Sequence, residues 1–145
     1  MLTENFSLDE FLISQTAVRH GIDMTPPQIV IDNLKLLCVT VLQPLRNETG
    51  EAIRISSGYR PQALNDIING SKTSGHRFGR CADFTMQYLT PYEVCDLIIG
   101  MDLVFDQLIH EFSAWVHVGI AEIPRDEILT AVRENGETRY LRGLA

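Results

Sequence analysis

Val116, Val118 and Ile120 recur at every second position in the run Trp115-Val116-His117-Val118-Gly119-Ile120. That is the period of a strand, whose successive side chains point to opposite faces. Such a segment needs a core beneath its branched residues, and it leaves Trp115, His117 and Gly119 facing a cleft on the other side. The chain must therefore build a sheet with one covered face and one open face, and it carries an imidazole on the open one.

The rest of the chain supplies the cover. Ser7, with Glu10 at the capping-box position and apolar Leu8, Phe11, Leu12 and Ile13, predicts a helix over 7–20 that Gly21 ends. Pro26-Pro27 opens a longer helix to about residue 46, and Pro44 perturbs its last turn. Asn47-Glu48-Thr49-Gly50 reads as a turn, and Ala52–Ser56 as a short strand. Pro61 starts a helix to about Ile68, followed by a loop at Asn69–Lys72 and a strand near Ala82–Met86. Thr90, Pro91 and Glu93 form a complete helix start. Strands near Phe105–His110 and Trp115–Ile120 follow, joined by Glu111-Phe112-Ser113-Ala114. A short helix from about Pro124 and a weak tail finish the chain. The expected class is α+β, helices packed around a small, largely antiparallel sheet with a cleft on it.

At 145 residues the chain suits one domain, 1–145, with one core. A net charge of −7 argues against a nucleic-acid binder, which needs positive surface against phosphates. The first residues lack the basic and apolar regions of a signal peptide, and no apolar run approaches a membrane span. The expectation is synthesis in the cytoplasm with no membrane insertion. Cys38, Cys81 and Cys95 are odd in number and widely spaced, so they form no disulfide framework.

Chemistry concentrates in Ser74-Gly75-His76-Arg77-Phe78-Gly79-Arg80-Cys81-Ala82-Asp83. Together with His117, the His76 imidazole and the Asp83 carboxylate make a three-ligand set that suits zinc and leaves its fourth position open. Six residues separate His76 from Asp83, so the two would approach from a loop and a strand, with Gly79 turning the chain between them. Spacing alone favours histidines satisfied by ordinary hydrogen bonds over a zinc site. His20, beside a helix-ending glycine, and His110 are read as structural.

Four stretches occur in a telling order: Ser56-Ser57-Gly58-Tyr59-Arg60, Leu64-Asn65, Ser74-x-His76-x-x-Gly79-Arg80-x-Ala82-Asp83, and Trp115-Val116-His117-Val118. With Asn5-Phe6-Ser7-Leu8-Asp9-Glu10-Phe11 and Val41-Leu42-Gln43-Pro44-Leu45-Arg46, they make the chain similar to the zinc D-Ala-D-Ala carboxypeptidase family of peptidoglycan peptidases. The resemblance is especially to its short phage and prophage members and spans about residues 4–121. It implies zinc held by His76, Asp83 and His117. It further implies Arg60 against the substrate carbonyl or developing oxyanion, where a fixed guanidinium is apt, while the sequence alone equally allows Arg60 a surface salt bridge. Ser74 then lines the substrate cleft. Trp115, read from its own chemistry, is a substrate-binding candidate at the cleft rim or an ordinary half-buried strand aromatic.

Many relatives place an acid three residues before the last zinc histidine, where this chain has Ala114. Phage-type members carry a glutamate at the end of the preceding strand, which here is Phe105-Asp106-Gln107-Leu108-Ile109-His110-Glu111. Glu111 is therefore the candidate base, taking a proton from water and passing it to the leaving amine. Asp106 is held in reserve, on the opposite face by strand alternation. Cys81, where many relatives have alanine, is read as a small buried residue, with a fourth zinc ligand as the alternative. The resemblance implies a monomeric zinc peptidase cutting an amide bond in bacterial peptidoglycan stems as carboxypeptidase or endopeptidase, an endolysin-like enzyme acting at the cell wall after release. The rival readings are a zinc-binding but non-hydrolytic phage structural or interaction module, and a cysteine hydrolase using Cys81.

Overall fold

The computed structural model describes residues 1–145. Six strands form one sheet: β1 (Ile53–Ser57), β2 (Cys81–Met86), β3 (Gln107–Glu111), β4 (Trp115–Gly119), β5 (Glu127–Glu134) and β6 (Glu137–Arg142), in the order β1-β2-β4-β3-β5-β6. Every neighbouring pair is antiparallel except β3 with β5. The expected α+β class and largely antiparallel sheet are what the chain forms.

Alternation sorts the sheet's two faces. Ala82, Phe84, Leu108, Val116 and Val118 are fully buried in one core with Leu34, Leu37 and Leu45 of the long helix and Val94 and Ile98 of the later one. Cys81, Asp83, Ile109, Glu111, His117 and Gly119 face the other way and line a cleft. Ile120, expected on the core side, follows the end of β4 and also reaches the cleft wall.

The long helix runs unbroken over Gln28–Thr49, as α2 (Gln28–Leu37), a π-helical turn (Cys38–Leu42) and α3 (Gln43–Thr49). Pro44 explains the π turn. It has no N–H to offer and its ring crowds the carbonyl one turn back. The helix widens so that the Gln43 N–H reaches the Cys38 carbonyl. Contrary to the sequence expectation, Asn47–Thr49 are not a turn but the helix's last residues, closed by left-handed Gly50. Length and composition alone would let this helix cross a membrane, but Val30, Leu34, Leu37, Val41, Leu42 and Leu45 are sunk in the core.

Two further expectations fail locally. The first helix is split into a 3-10 turn (Leu8–Phe11) and α1 (Gln15–Arg19), because Ser14 makes a second N-cap by accepting from the Ala17 N–H at 3.1 Å. The helix expected from Pro124 is instead a β-hairpin, β5–β6. Its turn is Asn135-Gly136, both with positive φ, at 54° and 79°, the backbone a two-residue hairpin requires. The remaining helices, α4 (Gln62–Ile67) and α5 (Pro91–Gly100), fall where expected, and Thr90 and Glu93 close a reciprocal capping box.

The N-terminal turn braces the site directly. The Tyr59 N–H donates to the Phe11 carbonyl at 2.8 Å. A Cβ on Gly58 would lie 2.6 Å from that same oxygen, so the Ser-Gly-Tyr-Arg loop can seat only with glycine there.

Candidate metal centre

Asp83 and His117 are directly opposed across the β2–β4 ladder, which brings His117 Nδ1 to 2.8 Å from Asp83 Oδ1. His76 arrives from a 3-10 turn (Gly75–Phe78), and its Nε2 lies 3.4 Å from the same Oδ1. Gly79 ends that turn at φ 70°, where a Cβ would collide with the Val30 carbonyl at 2.7 Å. The tight return from His76 to β2 therefore depends on glycine. The His76 ring is aimed by its other nitrogen, which bonds the Gly58 carbonyl at 2.8 Å. All three predicted ligands thus converge, and His76 and Asp83 are buried.

Arg60 also reaches this cluster. Its Nη2 donates to Asp83 Oδ2 at 3.2 Å and its Nε to Ser57 Oγ at 3.0 Å. A β-bulge between Ile55 and Ser57 sets that loop beside β2, a common placement for bulges near functional sites. The guanidinium holds one carboxylate oxygen and leaves the other to the imidazoles.

Glu111 is the last residue of β3, not part of the turn where sequence placed it. Its side chain is 15% exposed and Oε1 stands 3.8 Å from His117 Nδ1. Burial, then the Asp83 charge, push its carboxyl up from 4.5. Asp106 lines the same cleft rather than the opposite face, because it precedes the regular strand. Arg125 grips both of its oxygens at 2.8 and 2.9 Å and, through those bonds, lowers its pKa.

Ser74 lines the cleft while its Oγ accepts from the His76 N–H at 3.2 Å, so it caps the ligand-bearing turn. Trp115 is a partly buried wall residue, edge-on to Phe112 at 5.5 Å, with an indole N–H that has no protein acceptor. His110 and His20 behave as structural residues: His110 Nδ1 meets the Ala145 oxygen at 2.9 Å, and His20 closes α1. Sequence reading missed Tyr140 and Arg125, which also line the cleft. The Asn135-Gly136 turn signal would have found Tyr140. It sets the hairpin register, and Glu111, Ala131 and Tyr140 lie side by side across β3, β5 and β6.

The electrostatics suit a cation. Burial opposes charge on His76, but Cys81 and Asp83 raise it to about 9. Burial likewise opposes charge on His117, which bonds to Asp83 and Cys81 hold well above its usual value. Asp83, although buried, is kept well below the carboxylate range by hydrogen bonds to the two imidazoles. Burial would raise Cys81, yet the same histidines bring it down to about 7. Without metal the cluster gathers protons, which a divalent cation binding there would displace. Two imidazoles and a carboxylate on a shared focus fit zinc.

Zinc binding at pH 7 is accordingly expected to release about two protons, read by calorimetry in buffers of different ionisation heat. The raised His76 value stabilises the metal-free fold fully below pH 6.5, and that contribution is lost as pH rises through about 9. Zinc affinity moves the opposite way, strengthening over the same interval.

The cleft has a volume of about 560 Å³, ample for a short peptide segment. A sequence model of the family described as Peptidase M15 matches residues 4–119, from the N-terminal turn through the end of β4. No curated protein matches the chain.

Proposed function

Because the chain belongs to the Peptidase M15 family, we propose that it is a zinc metallopeptidase hydrolysing an amide bond in the peptide stems of bacterial peptidoglycan. The observation that carries this reading is one buried carboxylate oxygen, Asp83 Oδ1, shared by His76 and His117 beside a second, partly buried acid, Glu111. His76, Asp83 and His117 would hold the ion. Zinc there supplies Lewis acidity, easing deprotonation of water and polarising a carbonyl.

The protein's own groups do the rest. Glu111 takes the proton of the attacking water and returns it to the leaving amine. Its raised pKa suits both halves of that task. Arg60, fixed by Ser57 and Asp83, presents its remaining N–H groups to the developing oxyanion. Asp106 cannot substitute as base while Arg125 occupies its oxygens.

Three arginines line the cleft. Arg60 and Arg125 have carboxylate partners, whereas Arg80 has none and stands over the Phe78 ring at 5.5 Å. Arg80 is free to receive a substrate carboxylate, which favours cutting near a free C-terminus. Arg80→Ala should raise KM roughly fivefold for a stem peptide ending in a free carboxylate and leave the amidated peptide unchanged. Steady-state kinetics on the two peptides reads the difference.

The decisive experiment is product release from purified peptidoglycan by protein as purified, stripped by chelator, and restored with zinc. Activity lost on stripping and recovered with zinc supports the proposal, and the released fragments identify the bond. A zinc-loaded protein that releases nothing from several wall types would make a non-hydrolytic binding module the better reading.

A further inference from the structure

Cys81 is the one thiol that leaves the core face. Cys38 and Cys95 are packed within the apolar cluster, but Cys81 shares Asp83's side of β2 and lines the cleft. Its Sγ and one ring nitrogen each from His76 and His117 all lie within 4.8 Å of one another. A second group with the same spacing, Asp83, Glu111 and His117, shares only His117 with it. The imidazoles are thus flanked by a soft sulfur donor on one side and hard carboxylates on the other.

The space around the sulfur is made by missing side chains. Cys81 is opposite Gly119 in the β2–β4 ladder, and a Cβ on Gly119 would press on Cys81 Cβ at 3.3 Å. A Cβ on Gly75 would come within 2.9 Å of Sγ. The thiol is therefore seated between two glycines with the histidines before it. A small apolar residue would fill the same niche, but it would bring no donor to them.

We propose that Cys81 is a ligand of the metal centre, its thiolate binding the same ion as His76 and His117. This rests on the metal centre of the function proposed above, and not on its peptidase activity: the thiolate and the attacking water are alternative occupants of the position that His76, Asp83 and His117 leave open. On binding, the metal–sulfur bond forms as the S–H bond breaks, and the proton passes to solvent. Thiolate ligation biases the site toward soft and borderline ions such as zinc, cadmium and cobalt.

Cobalt(II) substitution tests this without reference to catalysis. Wild-type protein loaded with one cobalt should show a thiolate-to-cobalt charge-transfer band in the near ultraviolet, beside the visible ligand-field bands. Cys81→Ala should keep the visible bands and lose the charge-transfer band. Cys81→Ser, nearly isosteric, should do the same and covers the case in which the alanine variant misfolds. Bound cobalt with no charge-transfer band in the wild type would overturn the assignment and leave the His76–Asp83–His117 centre standing. Failure of the wild type to bind cobalt or zinc at all would overturn both.

Discussion

Replacing Glu111 with glutamine is expected to lower kcat on peptidoglycan stem peptides by about a hundred- to ten-thousand-fold, with zinc content and KM nearly unchanged. The substitution keeps the shape of a side chain that is 15% exposed at the end of β3, so folding is not the variable. It removes the proton acceptor nearest the centre without removing His76, Asp83 or His117. A loss confined to kcat is the mark of a group acting in the transition state. Glutamate must be ionised to act as base, and its pKa lies above 4.5. The wild-type rate should therefore fall as pH drops through that raised value, and the acidic limb should vanish from the variant's residual activity. Asp106→Asn is the control, since Arg125 already holds that carboxylate out of reach. It should retain most of the rate, and a loss there as large as in Glu111→Gln would exchange the two roles.

What the sequence disclosed and what it hid follow one physical division. Signals that are local and periodic were legible: the alternation of Val116 and Val118, the Thr90–Glu93 capping box, and the placement of His76 on a turn and Asp83 on a strand. Each depends on neighbours within a few residues. Hidden features arose from competition among local signals. Ser14 is a cap inside an apparently helical stretch, and only packing decides that it outcompetes helix continuation. Pro44 announced a disturbance, but not the form it takes, a π turn over Cys38–Leu42. The C-terminal hairpin was available from Asn135-Gly136 flanked by Ile128, Thr130, Val132, Thr138 and Tyr140 and was overridden by Pro124. Its cost was the far wall of the cleft, including Tyr140. Pairing of Asp83 with Arg60 could not be read at all, because the two are 23 residues apart and meet only when the loop after β1 folds beside β2.

That pairing makes Asp83 the residue on which fold and chemistry depend together, and Asp83→Asn should show both dependences. One carboxylate faces Arg60 at 3.2 Å, His76 at 3.4 Å and His117 at 2.8 Å. Removing its charge leaves three potential cations gathered in a buried place with only the Cys81 sulfur and Glu111 beside them. In the metal-free protein this should destabilise the fold by about 3 kcal/mol, the scale of breaking a buried pair. The sign with pH is set by the depressed Asp83 value: its contribution is present above the unfolded pKa near 3.8 and disappears as pH falls through the folded one. Denaturant melts of wild type and variant should therefore run apart and parallel with respect to Asp83 above pH 4, and converge in stronger acid. Zinc affinity should fall by more than the 10- to 100-fold typical of losing an outer-shell partner, because the substitution takes away one of the three proposed ligands together with its charge. Peptidoglycan hydrolysis would go with it. A variant that kept wild-type zinc affinity would instead place the ion on His76, Cys81 and His117 and reduce Asp83 to orienting Arg60.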